Sequence, residues 1–293
     1  MAPRLQAFVA IVLWGISFVA TRLALREVQP VTLIFTRFAL GVGLLYAVLA
    51  ARRVPLLPPR SSWVAMAGLG FIGIFLHQLL QSHALTLTTA VRTGWLIGIT
   101  PIVSALLAAL FLRERFGAGK IAGLLVGLLG VALVVTRGRL DPELLALPST
   151  RGDLLILVST VTWSIYTVLG HDTIRRVGSL RATAGTMLAG WLMMSPWFLG
   201  SGGWRELSQV SSGGWAAILF LGFGCSGLAY WCWYGALERV ETSRVAAFLY
   251  VEPLVTVVAA IPLLGERVGW STAIGGVVVL AGVALVQRSG KRP

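Results

Sequence analysis

Polar side chains recur at helical spacing in two otherwise apolar stretches of this chain. The first stretch carries His77, Gln78, Gln81 and Ser82, and the second carries Ser226, Tyr230, Trp233 and Tyr234. Residues four apart lie on the same face of a helix, so each stretch presents one polar or aromatic face. Such groups are costly at lipid depth and normally face a protein interior or a watery cavity. We expect these faces to bind a small ligand; the alternative is that they only form hydrogen bonds between helices.

Two tryptophans, Trp14 and Trp163, lie near the middle of apolar stretches instead of at their ends. Tryptophans at membrane interfaces are expected without any function. A mid-stretch tryptophan beside Tyr166, with hydroxyl groups one turn away, suits an amphipathic small molecule, and aromatic rings also bind cationic groups. We therefore place Trp163 and Tyr166 in the candidate binding set, whereas Trp14 is open to a packing role.

Glu252 is the only acid well inside an apolar stretch, and it directly precedes Pro253. Proline removes a backbone hydrogen bond and disrupts the helix one turn back. A carboxyl group at this point can hold a proton, bind a substrate ammonium or pair with an arginine; the alternative is a protonated side chain that caps the freed carbonyls. Pro101 has the equivalent position earlier in the chain, and both prolines are candidate kinks or gates.

Arg37 lies seven residues after Pro30, about 10 Å into the second apolar stretch. We expect a structural role for this arginine. The alternatives are that it reaches out to the membrane interface or neutralises an acid such as Glu252.

The composition shows what kind of element must position these residues. With 57% hydrophobic and 12% charged residues, the chain is unlike a soluble domain, in which about a quarter of the residues are charged. Stretches of roughly 20 apolar residues, long enough to span a bilayer, recur throughout. They predict ten membrane-spanning helices: about 5–25, 31–50, 62–83, 90–112, 118–136, 153–170, 181–200, 213–236, 242–264 and 270–287.

The chain also contains an internal repeat. Pro101 is followed by 12 mostly apolar residues and Glu114, and the same block returns 152 positions later, from Pro253 to Glu266. We expect both glutamates, each at a span end beside an arginine, to anchor helix ends. Repeats in an apolar chain are typical of secondary transporters. Each copy holds five predicted spans, and an odd number inverts the second copy in the membrane. We therefore predict an all-α integral membrane protein with two inverted five-helix repeats, 1–140 and 141–293.

Small residues line one face of the fifth and tenth predicted spans. Gly119, Gly123 and Gly127 are spaced by four, and Gly275 and Gly282 by seven. Such faces allow helix backbones to approach closely in lipid. We expect packing inside the bundle, and the alternative is a dimer interface, so the chain is predicted to be a monomer or a weak dimer.

Charge and motif content narrow the function classes. Lys and Arg are more frequent in the segments that lie inside if both termini are cytoplasmic. Despite the net charge of +13, no basic aromatic stripe lies outside the spans, which argues against nucleic acid. No metal-ligand spacing, nucleotide loop or catalytic motif is present, so we expect no cofactor, no metal and no enzymatic activity. Any transport must then use a gradient or run downhill.

The motif Leu13-Trp14-Gly15-Ile16-Ser17-Phe18, Arg37 and the two Pro-x12-Glu-Arg blocks make the chain resemble the EamA family of the drug/metabolite transporter superfamily. Within that family it is most similar to the YddG-type amino-acid exporters. The resemblance implies ten helices and alternating access around a central cavity lined by spans 1, 3, 4, 6, 8 and 9. Ser17, Trp95 and Tyr250, on three of these spans, complete the candidate binding set.

These observations together predict a bacterial inner-membrane transporter that exports amino acids or similar amphipathic metabolites. The export direction is implied by the resemblance alone. One alternative is a proton-coupled multidrug exporter of hydrophobic cations, which needs an ionised carboxylate such as Glu252 in the membrane. A second alternative is a structural or enzymatic membrane partner protein, which the repeat and the polar mid-span faces disfavour.

Overall fold

The fold is all-helical in the part of the chain that the structure describes. The computed structural model describes residues 1–87, 96–136, 151–264 and 270–289, and it contains no strand within these ranges. The predicted all-α class is therefore confirmed. Trp95, Glu266 and the repeat boundary near residue 140 lie outside the described residues.

The helices overlap the predicted spans, although some spans are divided into more than one helical segment. Several start at a proline in the first turn, where the missing N–H has no intrahelical partner to lose. In chain order the helices are α1 Pro3–Ala24, α2 Pro30–Ala51, α3 Trp63–Leu69, α4 His77–Leu87, α5 Thr100–Leu112, α6 Ala118–Thr136, α7 Arg151–Val177, α8 Ser179–Gly200, α9 Ser212–Leu219, α10 Tyr230–Leu237, α11 Thr242–Ala247, α12 Glu252–Leu264 and α13 Trp270–Arg288.

Two π-helical segments interrupt longer helical rods. Gly70–Leu76 joins α3 to α4, and Phe220–Ala229 joins α9 to α10. A π-helix closes hydrogen bonds five residues apart, is rare, and is often found at functional sites. Each segment ends directly before a candidate binding residue, His77 or Tyr230. The direction of the side chains that follow therefore depends on the π-helical backbone, and the regular spacing of an α-helix does not predict it.

Five helical stretches of the described residues are long and apolar enough to cross a membrane: Pro3–Ala24, Pro30–Ala51, Arg60–Ala84, Arg151–Val177 and Ser212–Leu237. Three shorter apolar helices accompany them: Thr100–Leu112, Ala118–Val134 and Ala273–Arg288. By length and composition these stretches agree with the predicted helical membrane protein. The count of ten spans goes beyond these stretches and belongs to the proposal below.

The chain forms two compact units. Unit 1 comprises Met1–Leu79 and Leu169–Val240, and unit 2 comprises Leu80–Val168 and Glu241–Pro293. Each unit takes segments from both predicted sequence repeats. The repeats therefore describe the organisation of the sequence, whereas the units describe which segments pack together.

Within unit 1, α8 packs along α2 and along the π-segment Gly70–Leu76, while α1 packs against α10 and the π-segment Phe220–Ala229. The aromatic ring of Phe35 stacks on that of Phe198, with 3.9 Å between centroids and 7° between planes. These contacts hold two helices of the first sequence half against two of the second.

Within unit 2, α6 and α13 pack along most of their length. A Cβ placed on Gly282 would lie 2.7 Å from the Cα of Gly127, and one placed on Gly123 would lie 2.9 Å from the carbonyl oxygen of Gly282. The two predicted glycine faces therefore meet each other inside the chain, as expected for packing within the bundle.

Candidate functional site

Gln78 and Tyr230 form a buried hydrogen bond in unit 1. The side-chain amide Nε2 of Gln78 donates to the Tyr230 hydroxyl at 3.1 Å, and the two residues are 152 positions apart. Gln78 is 7% exposed and Tyr230 is 2% exposed. Two predicted members of the binding set thus contact each other, and their separation equals the offset of the sequence repeat.

Trp14 contributes an aromatic ring beside Tyr230 of this pair. Its ring centroid lies 5.3 Å from those of Tyr230 and Trp233, and its indole N–H donates to the carbonyl of Cys225 at 3.1 Å. The Phe38 ring approaches Tyr230 from another side at 5.9 Å. Sequence reasoning left Trp14 open to a packing role, yet the structure places it directly beside the candidate residues. The signal was that Trp14, like Trp163, lies near the middle of its apolar stretch.

The other unit 1 candidates lie near this cluster in sequence but differ in their contacts. The Ser17 hydroxyl donates to the Trp14 carbonyl at 2.6 Å within its own helix. His77 is buried beside Gln78 in α4. Tyr234 is fully buried one turn after Tyr230, and its hydroxyl lies 2.8 Å from the position that a Cβ on Gly170 would take.

Arg37 connects α2 to the second π-segment. Its Nε donates to the Ser226 hydroxyl at 2.9 Å, and its guanidinium carbon lies 5.3 Å from the centroid of the Phe38 ring. The side chain is 8% exposed and has no carboxylate partner among the described residues of unit 1. The expected structural role is supported by the bond between two helical elements.

The unit 2 candidates include an aromatic pair on α7. The ring centroids of Trp163 and Tyr166 lie 5.5 Å apart, and both residues are buried. Next to them, the Thr162 hydroxyl donates to the Ser159 carbonyl at 2.8 Å within the helix. Gln81, on α4, is half-buried.

Tyr250 has contacts that hold two helices together. Its hydroxyl donates to the Leu124 carbonyl of α6 at 2.9 Å, and its ring lies 2.6 Å from the position of a Cβ on Gly127. The glycine therefore provides the space that the tyrosine ring occupies. These contacts give Tyr250 a packing role in unit 2, in addition to the binding role proposed from the sequence.

The helix around Glu252 changes type as the sequence predicts. A 3-10 turn, Phe248–Val251, separates α11 from α12, and Glu252 and Pro253 begin α12. The disruption one turn before Pro253 is confirmed. Glu252 is 9% exposed, and its backbone carbonyl accepts a hydrogen bond from the Thr256 hydroxyl at 3.0 Å. Pro101 likewise lies in the first turn of α5.

A group of charged side chains at helix ends of unit 2 was not predicted as a set. Lys120, at the start of α6 and 2% exposed, lies 3.0 Å from a carboxylate oxygen of Glu241 and 3.6 Å from one of Glu114. Arg244 donates to the same Glu241 oxygen at 2.9 Å. Only the helix-anchoring role of Glu114 was foreseeable, because Lys120 and Glu241 are distant in sequence.

Glu114 is the anchor of this group. Its carboxylate accepts hydrogen bonds from the backbone N–H groups of Thr242 at 2.6 Å and Ser243 at 3.3 Å, and from the Ser243 hydroxyl. These are first-turn donors of α11 that no intrahelical carbonyl satisfies. The prediction that Glu114 anchors a helix end is confirmed.

The pKa of Glu241 is set by opposing effects. Burial alone raises the pKa, but the hydrogen bonds and charges of Lys120 and Arg244 outweigh burial and hold it below its ordinary value of 4.5. The carboxylate is therefore the stable form of Glu241, and this group acts as a fixed ion cluster and not as a proton carrier near neutral pH.

The described residues contain no cluster of three or more His, Cys, Asp or Glu side chains that could hold a metal ion. Cys225 and Cys232 are both buried and neither is in a disulfide; the Cys225 thiol donates to the Leu13 carbonyl at 3.3 Å. The candidate binding residues of unit 1 offer hydrogen bonding and aromatic contact.

Comparison with known proteins adds family evidence to this geometry. The profile of the EamA-like transporter family matches residues 3–136 and 150–288. An uncharacterized transporter of Archaeoglobus fulgidus is 32% identical over 273 residues, which cover 93% of each chain. A probable terminal-alkyne amino-acid exporter of Streptantibioticus cattleyicolor is 27% identical and covers 95% of this chain and 91% of its own length. A crystal structure 24% identical in sequence has the same fold, with a TM-score of 0.80 over 98% of this chain and 99% of its own.

Proposed function

This chain belongs to the EamA-like transporter family, and from that membership we propose that it exports amino acids or similar small amphipathic metabolites by alternating access. The transporter role follows from the family. The substrate class is supported by the neutral polar and aromatic side chains in the interior of unit 1, and by similarity to a relative named as a probable amino-acid exporter. We further propose the bacterial inner membrane as its location, with both termini cytoplasmic.

The proposed architecture is ten helices in two inverted repeats, 1–140 and 141–293. Contact between residues one repeat offset apart is expected near the two-fold axis that relates such repeats, and Gln78 and Tyr230 meet in this way. The π-segment Gly70–Leu76, moved by the same offset, falls inside Phe220–Ala229. Both observations support the repeat as a feature of the fold.

The contact between α6 and α13 supports the same two-fold relation. A Cβ on Gly123 would approach Gly282, and a Cβ on Gly130 would approach Gly275. Gly275 is the repeat partner of Gly123, and Gly282 is the repeat partner of Gly130. The two contacts therefore exchange with each other under the repeat, as a two-fold axis between the helices requires.

The Gln78–Tyr230 hydrogen bond is the observation that carries the proposed binding site. An amide and a phenol each offer donors and acceptors, and neither is charged, so a substrate can replace their mutual bond with bonds of its own. A zwitterion with a variable side chain matches such a surface. The proposed substrate-binding residues are Ser17, His77, Gln78, Gln81, Trp95, Trp163, Tyr166, Tyr230, Tyr234 and Tyr250.

Glu252 is the proposed proton site, with Arg37 as the candidate ion-pair group and Pro101 and Pro253 as kinks that permit gating. A buried carboxyl group at a helix break has the chemistry to bind a proton or a substrate ammonium. The hydrophobic-cation alternative rests on Glu252 alone. Replacing Glu252 by Gln therefore distinguishes the two: cation export is lost, whereas downhill amino-acid movement continues.

The test is uptake of labelled amino acids into liposomes that contain the purified protein, with and without a pH gradient. We expect uptake by the wild type, loss of uptake in Gln78→Leu and Trp163→Ala, and wild-type uptake in Trp270→Ala, because Trp270 is 84% exposed. Absence of amino-acid uptake in the wild type, with transport of a hydrophobic cation instead, contradicts the proposal. Accumulation driven by a pH gradient and lost in Glu252→Gln identifies Glu252 as the proton site.

A further inference from the structure

Unit 1 carries an apolar groove on the side where α2 meets the second π-segment. Its volume is about 430 Å³, and its walls include Leu44 and Val48 of α2, Phe223, Gly224 and Gly227 of the π-segment, and Trp231 of α10. All of these side chains are apolar, and Phe223 is 43% exposed. The groove is thus an open apolar surface and is separate from the Gln78–Tyr230 pair.

Two glycines give the groove its shape. A Cβ on Gly227 would lie 2.6 Å from a methyl carbon of Leu44, so this glycine lets α2 approach the π-segment closely. A Cβ on Gly224 would have its nearest neighbours at 3.5 Å and 3.7 Å, in Phe220 and Leu13. Gly224 therefore has space above it, and a larger side chain at this position would fill the groove.

One end of the groove is positively charged. Leu44, Val48 and Arg52 are spaced by four on α2, so the apolar stripe leads directly to Arg52, about 12 Å from Leu44 along the helix. The Arg52 guanidinium carbon lies 4.9 Å from the centroid of the Trp231 ring. Arg52 and the adjacent Arg53 are both exposed at the end of α2.

We propose that this groove binds an anionic phospholipid, with an acyl chain along the apolar walls and the phosphate at Arg52 and Arg53. A phospholipid combines a long apolar chain with one anionic end, and the groove has the complementary arrangement. Hydrophobic cations are disfavoured, because both charged groups at the open end are positive. The end of α2 is the negative end of its helix dipole, so the attraction for phosphate comes from the arginine side chains.

The expected membrane side agrees with this occupant. The segment after α2 holds Arg52, Arg53 and Arg60, which the distribution of positive residues assigns to the cytoplasmic side. The cytoplasmic leaflet carries anionic lipids, and basic pockets between helices on that side bind their head groups.

The experiment measures lipid bound to the full-length protein by native mass spectrometry, using phosphatidylglycerol and phosphatidylcholine with identical acyl chains. We expect wild-type protein to retain phosphatidylglycerol in preference, and Arg52→Gln to lower that preference by about fivefold, the effect of one arginine near a membrane surface. Gly224→Leu should reduce retention of both lipids, because it fills the groove. Gly224→Ala is the milder variant if Gly224→Leu does not fold.

Arg176→Gln is the matched control, because Arg176 is also exposed at the end of a helix but lies outside the groove. Equal retention of the two lipids by the wild type overturns the proposal, as does an unchanged preference in Arg52→Gln. Should Gly224→Leu dissociate a dimer and leave lipid retention unchanged, the groove is an interface between copies and the lipid assignment is wrong.

Discussion

The Gln78–Tyr230 pair of unit 1 and the ion cluster of unit 2 are buried polar contacts of different kinds, at different places along their helices. In unit 1 the central contact is the uncharged Gln78–Tyr230 pair, which lies within the helical rods and is surrounded by aromatic rings. In unit 2 the buried polar contacts at the ends of α6 and α11 are ionic, and they join Glu114, Lys120 and Glu241. Both arrangements remove polar groups from water, but they differ in the free energy needed to separate the partners.

The difference shows which region suits ligand exchange. Opening an amide–hydroxyl bond in favour of an equivalent bond to a substrate changes the free energy little, because a net hydrogen bond contributes about 1 kcal/mol. Separating Lys120 from its carboxylates leaves buried charges unpaired, which costs about 3 to 5 kcal/mol. The neutral pair of unit 1 is therefore suited to binding, and the ion cluster of unit 2 is suited to holding helix ends together.

The largest effect should come from removing the cation of the unit 2 cluster. We expect Lys120→Met to lower the free energy of unfolding by about 3 kcal/mol, because two carboxylates lose their buried partner. The value lies at the low end because Glu241 is 46% exposed. Denaturant unfolding in detergent measures it. Arg176→Met, at an exposed position, is the control and should change stability far less; equal effects of the two substitutions would break the comparison.

The second effect tests the close backbone packing of α6 against α13 in unit 2. We expect Gly282→Ala to destabilise the protein by about 2 kcal/mol, because the new methyl group would meet the backbone of Gly127, which cannot rotate away. Thermal unfolding measures the loss. Gly68→Ala is the matched control, since a Cβ there has no neighbour within 4 Å. A destabilised control with an unaffected Gly282 variant contradicts the packing argument.

The helices and several contacts of both units were predictable from sequence. Long apolar stretches located most of the helices, Pro253 indicated the break before α12, and the glycine faces indicated packing inside the bundle, where α6 meets α13. The Gln78–Tyr230 contact also had a sequence signal. The two residues are one repeat offset apart, and residues near a two-fold axis approach their own repeat partners.

The remaining features have no local sequence signal. The π-segments arise from a shift of backbone hydrogen bonds by one residue, which hydropathy and spacing do not record. The contact of Lys120 with Glu241 joins residues 121 positions apart, so it depends on tertiary packing. The burial of Trp14 beside Tyr230 depends in the same way on how α1 meets α10.

The third effect is smaller and concerns the neutral pair of unit 1. A double-mutant cycle with Gln78→Leu and Tyr230→Phe should give a coupling free energy of about 1 kcal/mol, because the pair shares one hydrogen bond. Unfolding of the two single variants and the double variant provides the measurement. A coupling of several kcal/mol would show that this pair holds the fold as strongly as the ion cluster, and the distinction between the two units would be lost.

The smallest effect is the pH dependence of Glu241. Its folded-state pKa is lowered below 4.5, so its contribution to stability is present above the unfolded-state pKa and is lost as the pH falls through the folded-state pKa. We expect the melting temperature of the wild type to exceed that of Glu241→Gln at pH 7, with the difference shrinking below about pH 4.5. High salt should shrink the same difference at pH 7, because charge–charge attraction at a half-exposed carboxylate is screened.

Glu27 in unit 1 provides the contrasting carboxylate. Its pKa is also lowered, but by hydrogen bonds from the hydroxyl and the backbone N–H of Ser211. Both carboxylates should therefore lose their contribution in acid, whereas only Glu241, which has Lys120 and Arg244 as partners, should respond strongly to salt. An equal salt response of Glu27→Gln and Glu241→Gln would mean that ionic pairing is not what distinguishes the helix ends of unit 2, and that hydrogen bonding to helix starts accounts for both.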